Sequence, residues 1–198
     1  MIACTPGSEA DIRVEDAPIR NVAIIGGGTA GWMCAAALAH TLGGACGIRL
    51  VESEDIGTVG VGEATIPSIR LFNRFLGIDE HEFVAATQGT FKLGIQFLNW
   101  GRLGDSYFHP FGRYWSDFDI VPWYHYWLQA KAAGASSALS DHSLAWAAAA
   151  HGRFDQPLRG DPRQIRSSFD YAYHFDAGAY ARFLRGYCEA RAVERLHG

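Results

Sequence analysis

An α/β fold that starts with a buried parallel βαβ unit is what this sequence predicts. Three observations predict it: a short apolar run ending at Ile25 on three glycines, an alanine- and leucine-rich stretch from Trp32 to Leu42, and a second apolar run, Ile48 to Val51, closing on Glu52. Apolar runs this short, bounded by glycine, read as strands covered on both faces, so Asn21 to Ile25 is expected as one such strand. The stretch between them holds helix formers and no breaker until Gly43-Gly44 stops it. Gly26-x-Gly28-x-x-Gly31 falls between that strand and that helix, and Glu52 follows Gly31 by 21 positions. In this context Gly26 permits a tight turn, Gly28 lets a pyrophosphate approach the backbone, and Gly31 lets helix and strand pack, with the phosphates at the helix amino terminus. Glu52 would accept hydrogen bonds from ribose hydroxyls and repel the extra phosphate of NADP, while FAD and NAD both fit the glycine loop.

Further along, residues 53–66 read as loop, with Gly57, Gly60 and Gly62 spaced through it. Pro67 suits the first turn of a helix carrying Ile69, Phe72, Phe75 and Leu76 on one face, ended by Gly77. Asp79 and Glu82 have the spacing of an amino-terminal capping pair, which predicts a helix over about residues 80–88. From Phe91 to Trp100, Leu93, Ile95 and Phe97 alternate with Lys92, Gly94 and Gln96, the period of one strand. Residues 101–121 are aromatic and irregular, and a helix opens at Pro122. Asp176 caps a last helix whose apolar face is Ala177, Tyr180, Phe183, Leu184, Tyr187 and Cys188, and residues 193–198 lead into a further strand.

Composition narrows the function. The 198 residues, 48% hydrophobic and 19% charged, suit one packed domain preceded by a flexible leader over residues 1–20. A net charge of -4 without clustered Lys and Arg disfavours nucleic acid and anionic membrane surfaces as partners. No apolar run is long enough to span a bilayer, and Cys4, Cys34, Cys46 and Cys188 form neither a CxxC pair nor a zinc spacing, so no metal and a cytoplasmic location are expected.

The residues also carry a resemblance. Gly26-Gly27-Gly28-Thr29-Ala30-Gly31-Trp32, then Gly60-Val61-Gly62-Glu63-Ala64-Thr65-Ile66-Pro67, then Phe91-Lys92-Leu93-Gly94-Ile95 leading to Asn99-Trp100, resemble in this order the flavin-dependent tryptophan halogenases. Tyr107-Phe108-His109-Pro110-Phe111-Gly112 and Tyr173-His174-Phe175-Asp176-Ala177 are similar to that family too, so the resemblance runs from about residue 20 to the end. It implies an FAD-binding Rossmann-like fold of the flavin monooxygenase and halogenase type, with helical and loop insertions. A separate flavin reductase would supply reduced FAD, and oxygen with chloride or bromide would yield hypohalous acid. That acid would reach a lysine, which holds it by hydrogen bonding or becomes a haloamine, and the halogen would pass to tryptophan, another indole or a phenol.

By the same resemblance Gly26, Gly28, Thr29, Ala30, Gly31 and Glu52 bind the cofactor, Gly62, Glu63 and Ala64 belong to a loop strapped over the flavin, and His109 and Phe111 sandwich the substrate ring. Lys92 matches the family's lysine. Spacing alone reads Lys92 as a solvated residue at a strand start and His109 and Phe111 as core packing. Lys92 is nonetheless one of only two lysines, with Lys131, among 17 basic residues. An arginine cannot shed its proton near neutrality, whereas a desolvated amine can, so carrying halogen requires lysine. The family's Trp-x-Trp-x-Ile-Pro motif is not among these residues, and the chain is expected to be the amino-terminal part of a halogenase domain, lacking the downstream sheet and inactive alone. An FAD-dependent aromatic hydroxylase or dehydrogenase, and a noncatalytic FAD-binding fragment, are the alternatives.

Overall fold

A computed structural model describes residues 18–53, 55, 62–115, 120–161 and 163–197. Residues 1–17 of the expected leader, Gly57 of the expected loop, and Gly60 and Val61 of the expected strap lie outside the described residues. The elements are β1 (Asn21–Ile25), α1 (Thr29–Leu42), β2 (Gly47–Glu52), β3 (Gly62–Ala64), α2 (Ser68–Phe75), α3 (Glu80–Thr87), β4 (Thr90–Lys92), β5 (Gly94–Leu98), β6 (Ser106–Pro110), α4 (Trp123–Ala132), α5 (Leu144–Ala150), β7 (Ala172–Asp176), α6 (Ala177–Glu189) and β8 (Glu194–His197). Among the described residues no helix is long and apolar enough to cross a membrane.

The strands form three sheets. The first is parallel, in the order β1-β2-β8, with Ile24 opposite Leu50 and Glu52 opposite His197. The second is antiparallel, in the order β3-β7-β4, and the third is the hairpin β5-β6. One core joins them: Trp32, Ala35, Ala36 and Ala39 of α1 meet Ile48 and Leu50 of β2 and Tyr180, Leu184 and Cys188 of α6, and Phe83 of α3 carries it on to Tyr173 and Phe175 of β7. Phe83 is fully buried, with the rings of Tyr173, Phe175 and Tyr180 at centroid distances of 4.9, 5.5 and 5.3 Å, all edge-on. Such edge-to-face packing adds to burial through the ring quadrupoles.

The expected helix ends form as capping chemistry dictates. Asp79 accepts hydrogen bonds from the His81 and Glu82 amides, and Asp176 accepts one from the Ala179 amide. Two strand expectations are overturned. The stretch from Phe91 to Trp100 is two strands in different sheets: β4 ends at Lys92, the chain turns at buried Leu93, and β5 begins at Gly94. A side chain at Gly94 would meet Phe108 at 2.3 Å and the His109 carbonyl oxygen at 2.5 Å, so glycine is required where the hairpin closes on itself. β1 is the edge strand of its sheet among the described residues, and Ile25 is 80% exposed because it lies on the face opposite Ile24, which packs on the core. The irregular aromatic region holds the regular strand β6, and the tail's expected strand forms as β8 against β2.

Candidate active site

The glycine loop is shaped by one positive φ, at Gly26, and by close contacts at Gly27 and Gly31 that leave no room for a side chain. Gly26 adopts φ +111°, a conformation that favours glycine, and its amide donates to the Val51 carbonyl at 2.8 Å. A Cβ on Gly31 would lie 1.9 Å from the Gly26 carbonyl oxygen, so helix and strand approach as closely as the third glycine was expected to allow. A Cβ on Gly27 would lie 1.5 Å from Glu52 Oε2, which places the acid that ends β2 directly against the loop. Beside Gly28 the space is open, with nothing within 4 Å of a Cβ built there, and the same is true of Gly62.

α1 starts at this loop without a side-chain cap and without an acidic residue in its first turn, so its amino-terminal amides and the helix dipole face the open space at Gly28. Thr29 donates its hydroxyl to the Ala177 carbonyl at 3.1 Å, tying α1 to the start of α6. Thr29 and Ala30, with Glu63, Ala64 and Thr65 from the other motif, line a single cavity of about 540 Å³. Two of the expected residues from each motif, Thr29 and Ala30 with Glu63 and Ala64, therefore meet at one cavity although far apart in sequence, and its size suits a small organic ligand. The fit to a dinucleotide flavin rests on open space at Gly28 and Gly62, uncapped amides for a diphosphate, and a carboxylate beyond them. Glu52 does not stand alone: it is ion-paired with Arg195 of β8, a partner more than 140 positions away.

The second sheet carries the lysine. Residues opposite each other in an antiparallel pair project to the same side, so Lys92, Ala172, His174 and Ala64 share one face. Phe91, Tyr173, Phe175 and Glu63 share the other. Lys92 is only 8% exposed; its Nζ donates to the Thr65 carbonyl at 2.9 Å and lies 5.4 Å from the centroid of the buried Phe111 ring. Burial lowers its pKa from the ordinary lysine value, enlarging the neutral fraction. His174 is held below the ordinary histidine value, first by desolvation and then by the Lys92 charge, so it is neutral beside the ammonium.

Phe111 is fixed by its amide, which donates to the Leu93 carbonyl at 2.8 Å, and Leu93 adjoins Lys92. His109 is exposed on β6, between buried Phe108 and Pro110 and opposite Ile95, one rung into the hairpin whose root holds Phe111. Lys92 and Phe111 are thus brought together, with His109 nearby in the chain but without a recorded contact to either side chain.

Thr65, His174 and Arg195 were not chosen from the sequence. Thr65 and His174 sit inside the motifs that carry the resemblance, whereas Arg195 offers no local signal. Behind the lysine sheet, Glu80 accepts hydrogen bonds from the Tyr171 and Tyr173 hydroxyls and from Gln156, and the Arg70 guanidinium stacks 3.6 Å from the Tyr171 ring centroid.

A family model described as tryptophan halogenase matches residues 21–198. The tryptophan 6-halogenase SttH of Streptomyces toxytricini is 38% identical over 193 residues, covering 88% of this chain and 36% of that protein. Tryptophan 7-halogenase RebH of Lentzea aerocolonigenes is 35% identical over 90% of this chain and 35% of its own length. Among solved structures, Xcc4156, a flavin-dependent halogenase from Xanthomonas campestris, superposes with a TM-score of 0.83 at 49% identity, over 91% of this chain and 35% of that one. BrvH, a flavin-dependent halogenase from Brevundimonas sp. BAL3, gives a TM-score of 0.82 at 45% identity, over 90% of this chain and 35% of its own. The chain spans a little over a third of the relatives it matches. Fold, motif order and nearly full-length match agree: this chain belongs to the tryptophan halogenase family.

Proposed function

We propose that this chain supplies the FAD-binding and halogen-carrying part of a flavin-dependent halogenase that acts on an electron-rich aromatic ring such as tryptophan or another indole. The observation that carries this reading is the hydrogen bond from Lys92 Nζ to Thr65, which joins the lysine to the loop lining the proposed cofactor cavity. When bound, FAD reduced by a separate flavin reductase supplies, with oxygen and chloride or bromide, the oxidised halogen. The Gly26–Gly31 loop and the first turn of α1 bind the diphosphate, and Glu52, oriented by Arg195, accepts from ribose hydroxyls. Gly62, Glu63 and Ala64 lie along the ring system, where glycine lets backbone approach a flat surface.

Lys92 receives the halogen in one of two ways: the ammonium donates a hydrogen bond to hypohalous acid, or the neutral amine attacks its halogen, the oxygen–halogen bond breaking as the nitrogen–halogen bond forms and the hydroxide leaving as water with a proton from the amine. Burial favours the second by enlarging the neutral fraction, and the Thr65 carbonyl aims the nitrogen in both. Phe111, with His109, presents a flat apolar surface against which the substrate ring stacks, leaving its edge open to attack. We place the protein in the cytoplasm, with neither nucleic acid nor a membrane as partner.

The test combines the full-length protein with a flavin reductase, NADH, oxygen, halide and tryptophan or indole. Halogenated product is expected, and hydroxylated product in its place would overturn the reading in favour of a monooxygenase. Lys92→Ala should keep FAD binding and abolish halogenation; halogenation that survives it would remove Lys92 from its role.

A further inference from the structure

Thr65 continues the β3–β7 ladder one residue beyond β3, opposite Tyr173. In a regular antiparallel pair the two residues exchange two backbone bonds, each amide donating to the other's carbonyl. Only half of that exchange is present. The Thr65 amide donates to the Tyr173 carbonyl at 3.0 Å, and the Thr65 hydroxyl donates to the same carbonyl at 2.9 Å. The return bond from the Tyr173 amide goes to Thr65 Oγ1 at 3.1 Å, not to the Thr65 carbonyl. The side chain has taken its own carbonyl's place in the ladder, and the released carbonyl accepts Lys92 Nζ at 2.9 Å.

We infer that Thr65 is the positioning residue for Lys92: its hydroxyl satisfies the buried Tyr173 amide so that its backbone carbonyl is free to aim the lysine. The substitution works because an amide buried beside the 2%-exposed Tyr173 must be paired, and a hydroxyl is both donor and acceptor at the required distance from its own backbone. Serine meets the same requirement. Valine, with threonine's shape and no oxygen, cannot, and the Thr65 carbonyl then turns back to the Tyr173 amide and releases Lys92. Lys92 has the Phe111 ring on one side and His174 across the sheet, and among the described residues the Thr65 carbonyl is the one hydrogen-bond acceptor that its Nζ meets.

The consequence for halogen transfer rests on the proposed role of Lys92, but the positioning itself is measurable without flavin, halide or substrate. The chain's second lysine, Lys131, is exposed on α4 and serves as an internal reference. Competitive labelling of the full chain with acetic anhydride, read by peptide mass spectrometry, gives the rate at Lys92 relative to Lys131. In the wild type Lys92 should label far more slowly. Thr65→Ser should keep that ratio, and Thr65→Val should raise it about tenfold, the worth of one hydrogen bond from a charged donor. A valine variant that folds and keeps the wild-type ratio overturns the proposal. Thr65→Ser keeps the oxygen and reads its part alone: a ratio raised as far as expected for valine overturns the proposal even where the valine variant does not fold. In the halogenation assay Thr65→Val should lower kcat while leaving FAD affinity in place. Labelling that rises with halogenation unchanged would uphold the positioning and overturn the role given to Lys92.

Discussion

The parallel and the antiparallel sheet make their sites by opposite means. Around β1 and β2 the site is made by what is missing: glycines at 27 and 31 let carboxylate, carbonyl and helix come closer than a side chain would permit, and Gly26 takes a positive φ that favours glycine. Around β4 and β7 the site is made by what is added: Phe111, Thr65 and His174 arrive from three separate segments to enclose one amine. A site made by absence tolerates no addition, whereas one made by convergence fails when the scaffold that gathers its parts is loosened.

Substitutions that strike one side and spare the other test this contrast. Phe83→Ala removes the ring on which Tyr173, Phe175 and Tyr180 pack and should cost about 4 kcal/mol in chemical denaturation. Because Tyr173 pairs with Thr65, the same variant should also accelerate labelling of Lys92. Gly31→Ala forces a Cβ against the Gly26 carbonyl and should cost about 3 kcal/mol, with FAD affinity lost ahead of Lys92 protection. Equal loss at both sites in either variant would show that the two sheets do not behave as separate units.

Arg195→Met leaves the Glu52 carboxylate without its guanidinium and should cost about 2 kcal/mol while weakening FAD binding, read by flavin fluorescence. Tyr171→Phe is the mildest: it removes one hydroxyl bond to Glu80 and should cost about 1 kcal/mol at neutral pH. Burial, then the bond to Glu80, pushes the Tyr171 pKa up from 10.0 to about 12. Above pH 10 the unfolded chain loses this proton while the folded one keeps it, so the stability it contributes below pH 10 is lost as pH rises toward 12. The gap in Tm between wild type and Tyr171→Phe should therefore close across that window.

The first site was legible because its instructions are local. Gly31 and Glu52 act on neighbours within one βαβ unit, and the spacing that a dinucleotide demands is visible without knowing the rest of the fold. The lysine site was legible only as a resemblance: spacing made Lys92 a solvated residue, and its burial comes from segments 19 to 82 positions away whose meeting no periodicity announces. Gly94 did carry a usable sign, since a glycine inside an apparent strand marks a close approach, and here it is where the chain changes sheets. Treating both strand faces as buried erred at β1, where Val22 and Ile24 are half-buried and Asn21, Ala23 and Ile25 are exposed among the described residues, because what covers a sheet face is set by the packing of the whole fold. The exchange of hydroxyl for carbonyl at Thr65 has no counterpart in composition or period, for it depends on which backbone group a neighbouring strand presents.

The ion pair between Glu52 and Arg195 also bears on how the chain is made. β1, α1 and β2 leave the ribosome early, yet the strand that pairs with β2 and the helix that covers Trp32 lie some 140 to 156 positions later. Until α6 and β8 arrive, the glycine loop has a turn but no closed sheet beneath it, and contacts of such sequence separation are entropically slow to form. The sheet under the glycine loop is therefore expected to form only after β8 is translated, with the apolar face of α1 exposed to chaperones in the interval.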